Sequence, residues 1–141
     1  IVAARPVVEE KALETYGREL GLAFQLVDDA LDYDGAAAKL GKSVGDDFRE
    51  GKVTLPVALS LLSADDEQRA FWDRVIGQLD QREGDFETAL DYMRQHNAIE
   101  ATIEAARNRA AKARQALSIF PANQWRLALE ALASFVVTRA H

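Results

Sequence analysis

The sequence contains no cysteine, and its 141 residues include only three prolines and eight glycines. The lack of cysteine excludes disulfides, thiolate metal sites and a cysteine nucleophile, and is typical of a cytoplasmic protein. No apolar run approaches the roughly 18 residues that a membrane span requires, so we expect at most peripheral membrane contact. Basic residues are fewer than acidic ones, 17 against 23, which gives a net charge of −6. Because binding to nucleic-acid phosphates normally requires a basic excess, nucleic acid is not an expected partner.

What is present is the composition of a globular protein, with 48% hydrophobic and 28% charged residues. The length predicts one helical domain over residues 1–141. The chain begins at Ile1, within an apolar and helix-compatible stretch, so we expect it to be a piece of a longer protein whose missing N-terminal half carries part of the active site. Helices that pack against such a half would expose apolar surface, which predicts self-association or retention of that half as a separate piece.

Apolar residues recur at helical spacing along most of the chain, and the alternating pattern typical of strands is absent. The predicted fold class is therefore all-α, as an antiparallel helix bundle. Thr54 before Leu55 and Pro56 predicts a capped helix start, and Asn123 after Pro121 predicts another. The predicted helices cover residues 7–33, 55–62, 65–80, 86–96, 98–117 and 124 onward, with an irregular glycine-containing loop over 34–52.

Three aromatic residues lie at core spacing on these helices and are interpreted as packing residues: Trp72, Trp125 and Phe135. The two histidines, His96 and His141, match no motif and are interpreted as ordinary surface residues.

Charge is concentrated between residues 28 and 52, where seven acids and four bases give a net charge of −3 over 25 residues. Such a run is usually a solvated face. Its placement favours another interpretation, because Asp28, Asp29 and Asp32 fall within one turn of the predicted helix, with Gln25 one turn before them. Glycines at positions 17 and 21 lie on the same side of the predicted helix, at steps of four residues before Gln25. They indicate either a surface that a ligand or another molecule approaches closely, or a close helix crossing.

Three carboxylates within one helical turn repel one another unless a cation compensates their charge. Oxygen ligands without histidine or cysteine favour a hard divalent ion. Mg²⁺ fits best, because it keeps several waters and completes its coordination with a substrate's phosphates. Lys42 and Lys52 each follow a glycine in the adjoining loop, and their compact positive charges can hold a diphosphate. The sequence therefore predicts a site for Mg²⁺ and a diphosphate.

Two motifs in this region resemble those of a known family, the trans-isoprenyl (polyprenyl) diphosphate synthases. The family's second aspartate-rich region is similar to Gly17-x-x-x-Gly21-x-x-Phe24-Gln25-x-x-Asp28-Asp29-x-x-Asp32. The loop that follows it in the family is similar to Leu40-Gly41-Lys42-x-x-Gly45-x-Asp47-x-x-x-Gly51-Lys52-x-Thr54-Leu55-Pro56. Together the motifs span residues 17–56. The amino-acid sequence of the loop is most similar to that of bacterial octaprenyl and decaprenyl diphosphate synthases.

The resemblance implies the C-terminal half of the isoprenoid synthase fold, and a Mg²⁺-dependent prenyltransferase that is cytoplasmic and dimeric when complete. In such an enzyme the C–O bond of an allylic diphosphate ionises, isopentenyl diphosphate attacks the allylic cation, and a proton is lost. The reaction requires charge stabilisation on the departing diphosphate, without a covalent nucleophile.

The resemblance also implies roles for individual residues. Catalysis would depend on Asp28, a direct Mg²⁺ ligand, and on Lys42 and Lys52, which contact the allylic diphosphate. Asp29 and Asp32 would bind the metal directly or through water. The remaining implied roles are a polar contact to the diphosphate for Gln25, a metal-shell or, by preference, loop-organising role for Asp47, and core packing rather than a tunnel wall for Phe24.

One departure from the family pattern leaves an alternative open. The family's first aspartate-rich motif lies upstream of the second, and no second Asp-Asp-x-x-Asp occurs in this chain. We therefore expect the chain to be inactive by itself. The alternative function is that of a non-catalytic helical partner subunit in a heteromeric prenyl synthase. The acids and lysines of the motifs are intact, however, which argues against loss of the catalytic site.

Overall fold

The computed structural model describes residues 6–34 and 44–140. Over these ranges the secondary structure is helical, which confirms the all-α prediction. None of the described helices is long and apolar enough to cross a membrane. Seven α-helices are described: α1 (Val7–Leu31), α2 (Asp46–Arg49), α3 (Leu55–Leu62), α4 (Asp66–Trp72), α5 (Asp85–Gln95), α6 (Ala98–Ala116) and α7 (Gln124–Thr138).

The chain divides into two compact units, each with its own apolar core. Unit one comprises Ile1–Val27 and Glu104–His141, and unit two comprises Asp28–Ile103. Both α1 and α6 cross the division, so each long helix contributes residues to both units. The single domain expected over residues 1–141 stays a prediction.

The core of unit two contains several aromatic residues and includes Phe48, from the loop that carries the predicted site. Phe86 packs on two rings, with its centroid 6.1 Å from that of Tyr33 and 5.6 Å from that of Phe48. Phe71 makes edge-to-face contacts with Trp72 and Tyr92. Because Phe48 belongs to α2 and is almost fully buried, it anchors this short helix to the core.

Unit one contains α1 up to Val27, α6 from Glu104 onward, and α7, and its core is rich in alanine. Ala23, Ala110, Ala113 and Ala133 are completely buried, because small side chains allow helices to pack closely. The hydroxyl of Tyr16 donates a hydrogen bond to the carbonyl of Leu129 at 2.8 Å. The capped start predicted for α7 is confirmed: the side chain of Asn123 accepts hydrogen bonds from the N–H groups of residues 125 and 126.

The predicted helix over residues 65–80 is wrong at its C-terminal end. Helix α4 continues as a π-helical turn (Asp73–Gly77) and then stops, and Leu79 adopts a left-handed conformation with φ of 54°. The side-chain amide of Gln81 then donates to the carbonyl of Phe48 at 2.7 Å and to that of Val75 at 2.9 Å. The hydrogen bond to Phe48 joins residues that are far apart in the sequence, and apolar periodicity does not predict it.

The core assignment holds for Trp72, which is 2% exposed, and is wrong for Trp125 and Phe135, which are 71% and 62% exposed. Helix α7 has apolar residues on more than one face, and in unit one only the face that carries Ala133 and Val136 is buried. The core-packing role of Phe24 is also wrong, since this side chain is 47% exposed. Helical spacing identifies apolar faces but does not tell which of them a neighbouring helix covers.

The interpretation of His96 as an ordinary surface residue is also wrong. The side chain is half-buried, and its Nε2 atom lies 2.8 Å from Oε1 of Gln68. Gln68 forms a capping box with Asp65 at the start of α4, and its amide donates to Gln95 at 2.9 Å. His96 therefore belongs to a polar cluster that joins α4 to the end of α5, whereas His141 lies outside the described residues.

Replacing Asp85 by asparagine should destabilise unit two at neutral pH by about 2 kcal/mol, the scale of hydrogen bonds to a charged group. The Asp85 carboxylate accepts two hydrogen bonds from Arg74, at 2.8 and 2.9 Å, and one from the Arg82 N–H at 2.7 Å. The Arg74 guanidinium, followed by the Arg82 N–H, holds the pKa of Asp85 below its usual range. The stabilisation is therefore present above the unfolded-state pKa of about 3.9 and is lost as pH falls through the folded-state pKa.

Urea unfolding of wild type and Asp85→Asn, at pH 7 and at pH 2 to 3, measures the loss of unfolding free energy at each pH. We expect the loss at pH 7 and not at low pH. Asp91→Asn is the matched control, because its ion pair with Arg94 is more than half exposed and should contribute less than about 0.5 kcal/mol. An equal loss of stability in Asp85→Asn at both pH values would contradict the prediction.

Candidate active site

The predicted acids lie where α1 ends. Asp28 and Asp29 are in its last turn, and Asp32 directly follows it, with the Asp32 N–H donating to the Asp28 carbonyl at 3.1 Å. All three side chains are half-buried. Gln25 lies one turn earlier on the same helix and is exposed. The helical stripe expected from the sequence is therefore present.

Asp32 joins the end of α1 to the loop that follows. Its Oδ2 atom accepts the backbone N–H of Asp47 at 2.8 Å, and its carbonyl accepts the N–H of Gly45, also at 2.8 Å. Gly45 has φ of 87°, a conformation that favours glycine, and a Cβ there would lie 3.0 Å from the ring of Phe86, which would have to shift. The part of the loop predicted as irregular begins helix α2 at this point, which the sequence did not indicate.

Lys52 lies beside acids of the same loop. Its Nζ atom is 2.8 Å from Oε2 of Glu50 and 3.8 Å from Oδ1 of Asp47. Its backbone N–H donates to the Asp47 carbonyl at 2.9 Å. The hydrogen bond with Glu50 is the main cause that raises the pKa of Lys52, so the ammonium keeps its charge.

The acids form one electrostatic cluster. Burial, followed by the charges of Asp47, Asp28 and Asp32, raises the pKa of Asp29 to about 6, and the charge of Lys52 opposes this shift. Burial and then Asp32 likewise raise the pKa of Asp47. Negative charge therefore exceeds the positive charge that the described residues supply, and Lys52 is near enough to act on Asp29.

This donor set fits a hard divalent cation that is only partly coordinated by protein. All the donors are carboxylate oxygens. Burial and then the neighbouring acids raise the pKa of Asp29, and a bound cation would compensate the negative charge of these acids. Within residues 6–34 and 44–140, no three histidine, cysteine or acidic side chains converge closely enough to hold an ion by themselves. Such a set suits Mg²⁺, which binds one or two carboxylates together with water and phosphate oxygens.

Comparison with known proteins identifies the family. The sequence model of the family described as Polyprenyl synthetase matches residues 1–93, well over half of the chain. The chain belongs to the polyprenyl synthetase family. It is 41% identical over 139 residues to the octaprenyl diphosphate synthase of Haemophilus influenzae, covering 99% of this chain and 42% of that protein.

Solved structures show the same all-α isoprenoid synthase fold. A polyprenyl synthase from Caulobacter crescentus, complexed with calcium and isoprenyl diphosphate, has a TM-score of 0.89 and 50% identity, over 99% of this chain and 42% of that one. A decaprenyl diphosphate synthase from Rhodobacter capsulatus has a TM-score of 0.90 and 47% identity, over 96% and 42%. The resemblance drawn from residues 17–56 is confirmed, and the chain spans less than half the length of these relatives.

Other site residues of this polyprenyl synthetase chain fall into two groups. Lys42 lies within residues 35–43, outside the described part of the chain. Gly17 and Gly21 are described and exposed, and no described atom lies within 4 Å of a Cβ built on either. A close helix crossing at these glycines is therefore not seen among the described residues, and both line an apolar groove between α1 and α7 in unit one.

Two residues near the acids received no role from the sequence. Glu50 was counted only as one of the acids, although it contacts Lys52. Tyr33 is 2% exposed, and its hydroxyl has no hydrogen-bond partner in the described ranges. Burial is the largest cause that raises the pKa of Tyr33, and Asp32, Asp47 and Asp29 add to it. Only its position directly after Asp32 could have indicated this environment.

Proposed function

We propose that this chain supplies the second metal and diphosphate half-site of a polyprenyl diphosphate synthase, which extends an allylic diphosphate with isopentenyl diphosphate. The hydrogen bond from the Asp47 N–H to Asp32 carries the proposal. It joins the acid-bearing end of α1 to the loop that carries Lys52, as one site for a cation and a diphosphate requires. The match of residues 1–93 to the polyprenyl synthetase family supports the same assignment.

The metal-binding residues of this proposal are Asp28, Asp29 and Asp32. Asp28 is the direct ligand, and the other two bind the metal directly or through water. Asp32 has a second task, because its Oδ2 atom accepts the Asp47 N–H and so holds the loop. When bound, Mg²⁺ supplies positive charge that stabilises the departing diphosphate as the allylic C–O bond breaks.

The diphosphate-binding residues of this proposal are Lys42, Lys52 and Gln25. The ammonium of Lys52 stays charged beside the acids, and it provides positive charge for the diphosphate. Lys42 is assigned from the family motif, and exposed Gln25 is assigned as a polar contact to the substrate. Lysine suits this task because its compact charge can follow the diphosphate as negative charge develops.

The relatives indicate the class of product and partner. Among them are proteins described as octaprenyl and decaprenyl diphosphate synthases, which favours a long polyprenyl product of the quinone side-chain type. The proposed partners are allylic and isopentenyl diphosphates, the missing N-terminal half, and a second copy in a homodimer. A cytoplasmic location and Mg²⁺ as the physiological metal complete the proposal.

The test is an assay of a full-length protein that contains this chain, with labelled isopentenyl diphosphate and an allylic diphosphate primer. We expect labelled polyprenyl diphosphate in the presence of Mg²⁺, no product after chelation of the metal, and restored turnover when Mg²⁺ is returned in excess. Turnover that survives complete metal removal would contradict the metal role. Activity only after addition of a second, different subunit would instead support the alternative of a non-catalytic partner.

A further inference from the structure

Lys52 has a carboxylate partner before any diphosphate arrives. Glu50, two residues earlier, contacts its ammonium at 2.8 Å, whereas the carboxylate of Asp47 is 1 Å farther away, at 3.8 Å. The backbone of Lys52 is separately fixed by its hydrogen bond to the Asp47 carbonyl. Glu50 therefore positions the ammonium group of Lys52. Asp47, which is itself held by Asp32, positions the backbone of Lys52.

The exposure of these groups indicates which contact a ligand can displace. The side chains of Lys52 and Glu50 are 59% and 57% exposed, whereas that of Asp47 is 19% exposed. Ion pairs this exposed are weak, because water and salt screen them. A diphosphate carries more than one negative charge, so it can take the ammonium from Glu50 without moving the backbone of the loop.

We propose that Glu50 is an internal competitor of the diphosphate for Lys52, a positioning residue that weakens diphosphate binding at the proposed active site. The inference rests on the proposed function. Glu50 acts only through Lys52: it holds the ammonium in the ligand-free site, and it must release the ammonium each time a substrate or the pyrophosphate product binds. Its presence therefore favours release of the product as well as order in the free loop.

The experiment compares Glu50→Gln with wild type in a full-length protein, by calorimetric titration with inorganic pyrophosphate in Mg²⁺. Removing the competing carboxylate should lower the Kd by about two- to fivefold, the range expected for an exposed ion pair. The change should shrink at high ionic strength. In assays, the KM for the allylic diphosphate should fall while kcat does not rise, and Glu50→Asp should restore part of the wild-type Kd.

Two controls separate this role from a general change in charge. Glu83→Gln removes the same charge from another exposed glutamate of unit two and should leave the Kd unchanged. The double variant Lys52→Met/Glu50→Gln should have the same Kd as Lys52→Met alone, because the competition acts only through the ammonium.

The outcomes distinguish the inference from the proposed function. A Kd that is unchanged or raised in Glu50→Gln, or lowered equally by Glu83→Gln, overturns the inference alone. If wild-type protein binds no pyrophosphate in Mg²⁺, the proposed function is overturned and the inference with it.

Discussion

Replacing Asp28 by asparagine is expected to lower the turnover of a full-length synthase by about a hundredfold or more, the scale of losing one group that stabilises transition-state charge. Asparagine keeps the size and one oxygen of the side chain but removes its charge. Asp28 lies in the last turn of α1, and its charge is one of those that add to burial in raising the pKa of Asp29. The loss should therefore come from weaker metal binding, with the helix intact.

The measurement is kcat with labelled isopentenyl diphosphate, over a series of Mg²⁺ concentrations. Because the defect is in metal binding, high Mg²⁺ should recover part of the activity. Asp66→Asn, an exposed acid at the start of α4, is the control and should keep wild-type turnover. Turnover of Asp28→Asn near the wild-type value would remove Asp28 from the proposed site.

Asp32 permits a finer separation of metal binding from loop position. In Asp32→Asn the remaining carbonyl oxygen can still accept the Asp47 N–H, whereas Asp32→Ala removes this contact together with the charge. If both roles operate, the alanine variant should lose more diphosphate affinity than the asparagine variant. Equal losses would assign the effect to charge alone.

Replacing Gly51 by alanine is expected to cost about 2 kcal/mol of unfolding free energy and to weaken binding of pyrophosphate, because Lys52 is the next residue. Gly51 has φ of 70°, where a Cβ is strained in any environment. A Cβ there would also lie 2.5 Å from Cδ2 of Leu79 and 3.2 Å from the Ile76 carbonyl oxygen. The side chain of Leu79 can move, but the carbonyl belongs to the backbone, so the loop must shift.

Gly84→Ala is the matched control for this effect. Gly84 has φ of 88°, but a Cβ there meets no described atom within 4 Å. Its cost should be backbone strain alone, about 1 kcal/mol, with pyrophosphate affinity unchanged. Urea midpoints of the two variants, measured with calorimetric titration, test the difference. A Gly51→Ala protein no less stable than Gly84→Ala would show that the crowding at Gly51 has no energetic consequence.

The local parts of the fold were predictable because their causes lie within a few residues. Helix α7 starts where Asn123 caps it, and α3 starts directly after Thr54 with proline in its first turn. The capping role of Thr54 is wrong, since its side chain makes no capping hydrogen bond and its buried hydroxyl has no partner among the described residues. The acids at 28, 29 and 32 share a helical stripe because α1 continues through Leu31. The roles of these acids remain predictions, but their common location follows from helical geometry alone.

Other predictions failed where a neighbour across the fold decides the outcome. Trp125 has the spacing of a core residue, yet the face of α7 that carries it is exposed in unit one. The helix predicted to reach residue 80 ends earlier, because Leu79 and Gln81 pack against and hydrogen-bond to the loop before α3. No property of these residues in isolation reveals a partner about thirty positions away.

By itself, the sequence determined the helical class, the family, and the location of three carboxylates at the end of one helix, since periodicity, capping and motif spacing act over short distances. The tertiary structure decided how the loop meets that helix. The Asp47 N–H donates a hydrogen bond to Asp32, fifteen residues earlier, and the ammonium of Lys52 lies between Glu50 and Asp47. These contacts depend on where the buried ring of Phe48 anchors α2 against Phe86, because packing between distant residues fixes the position of the loop.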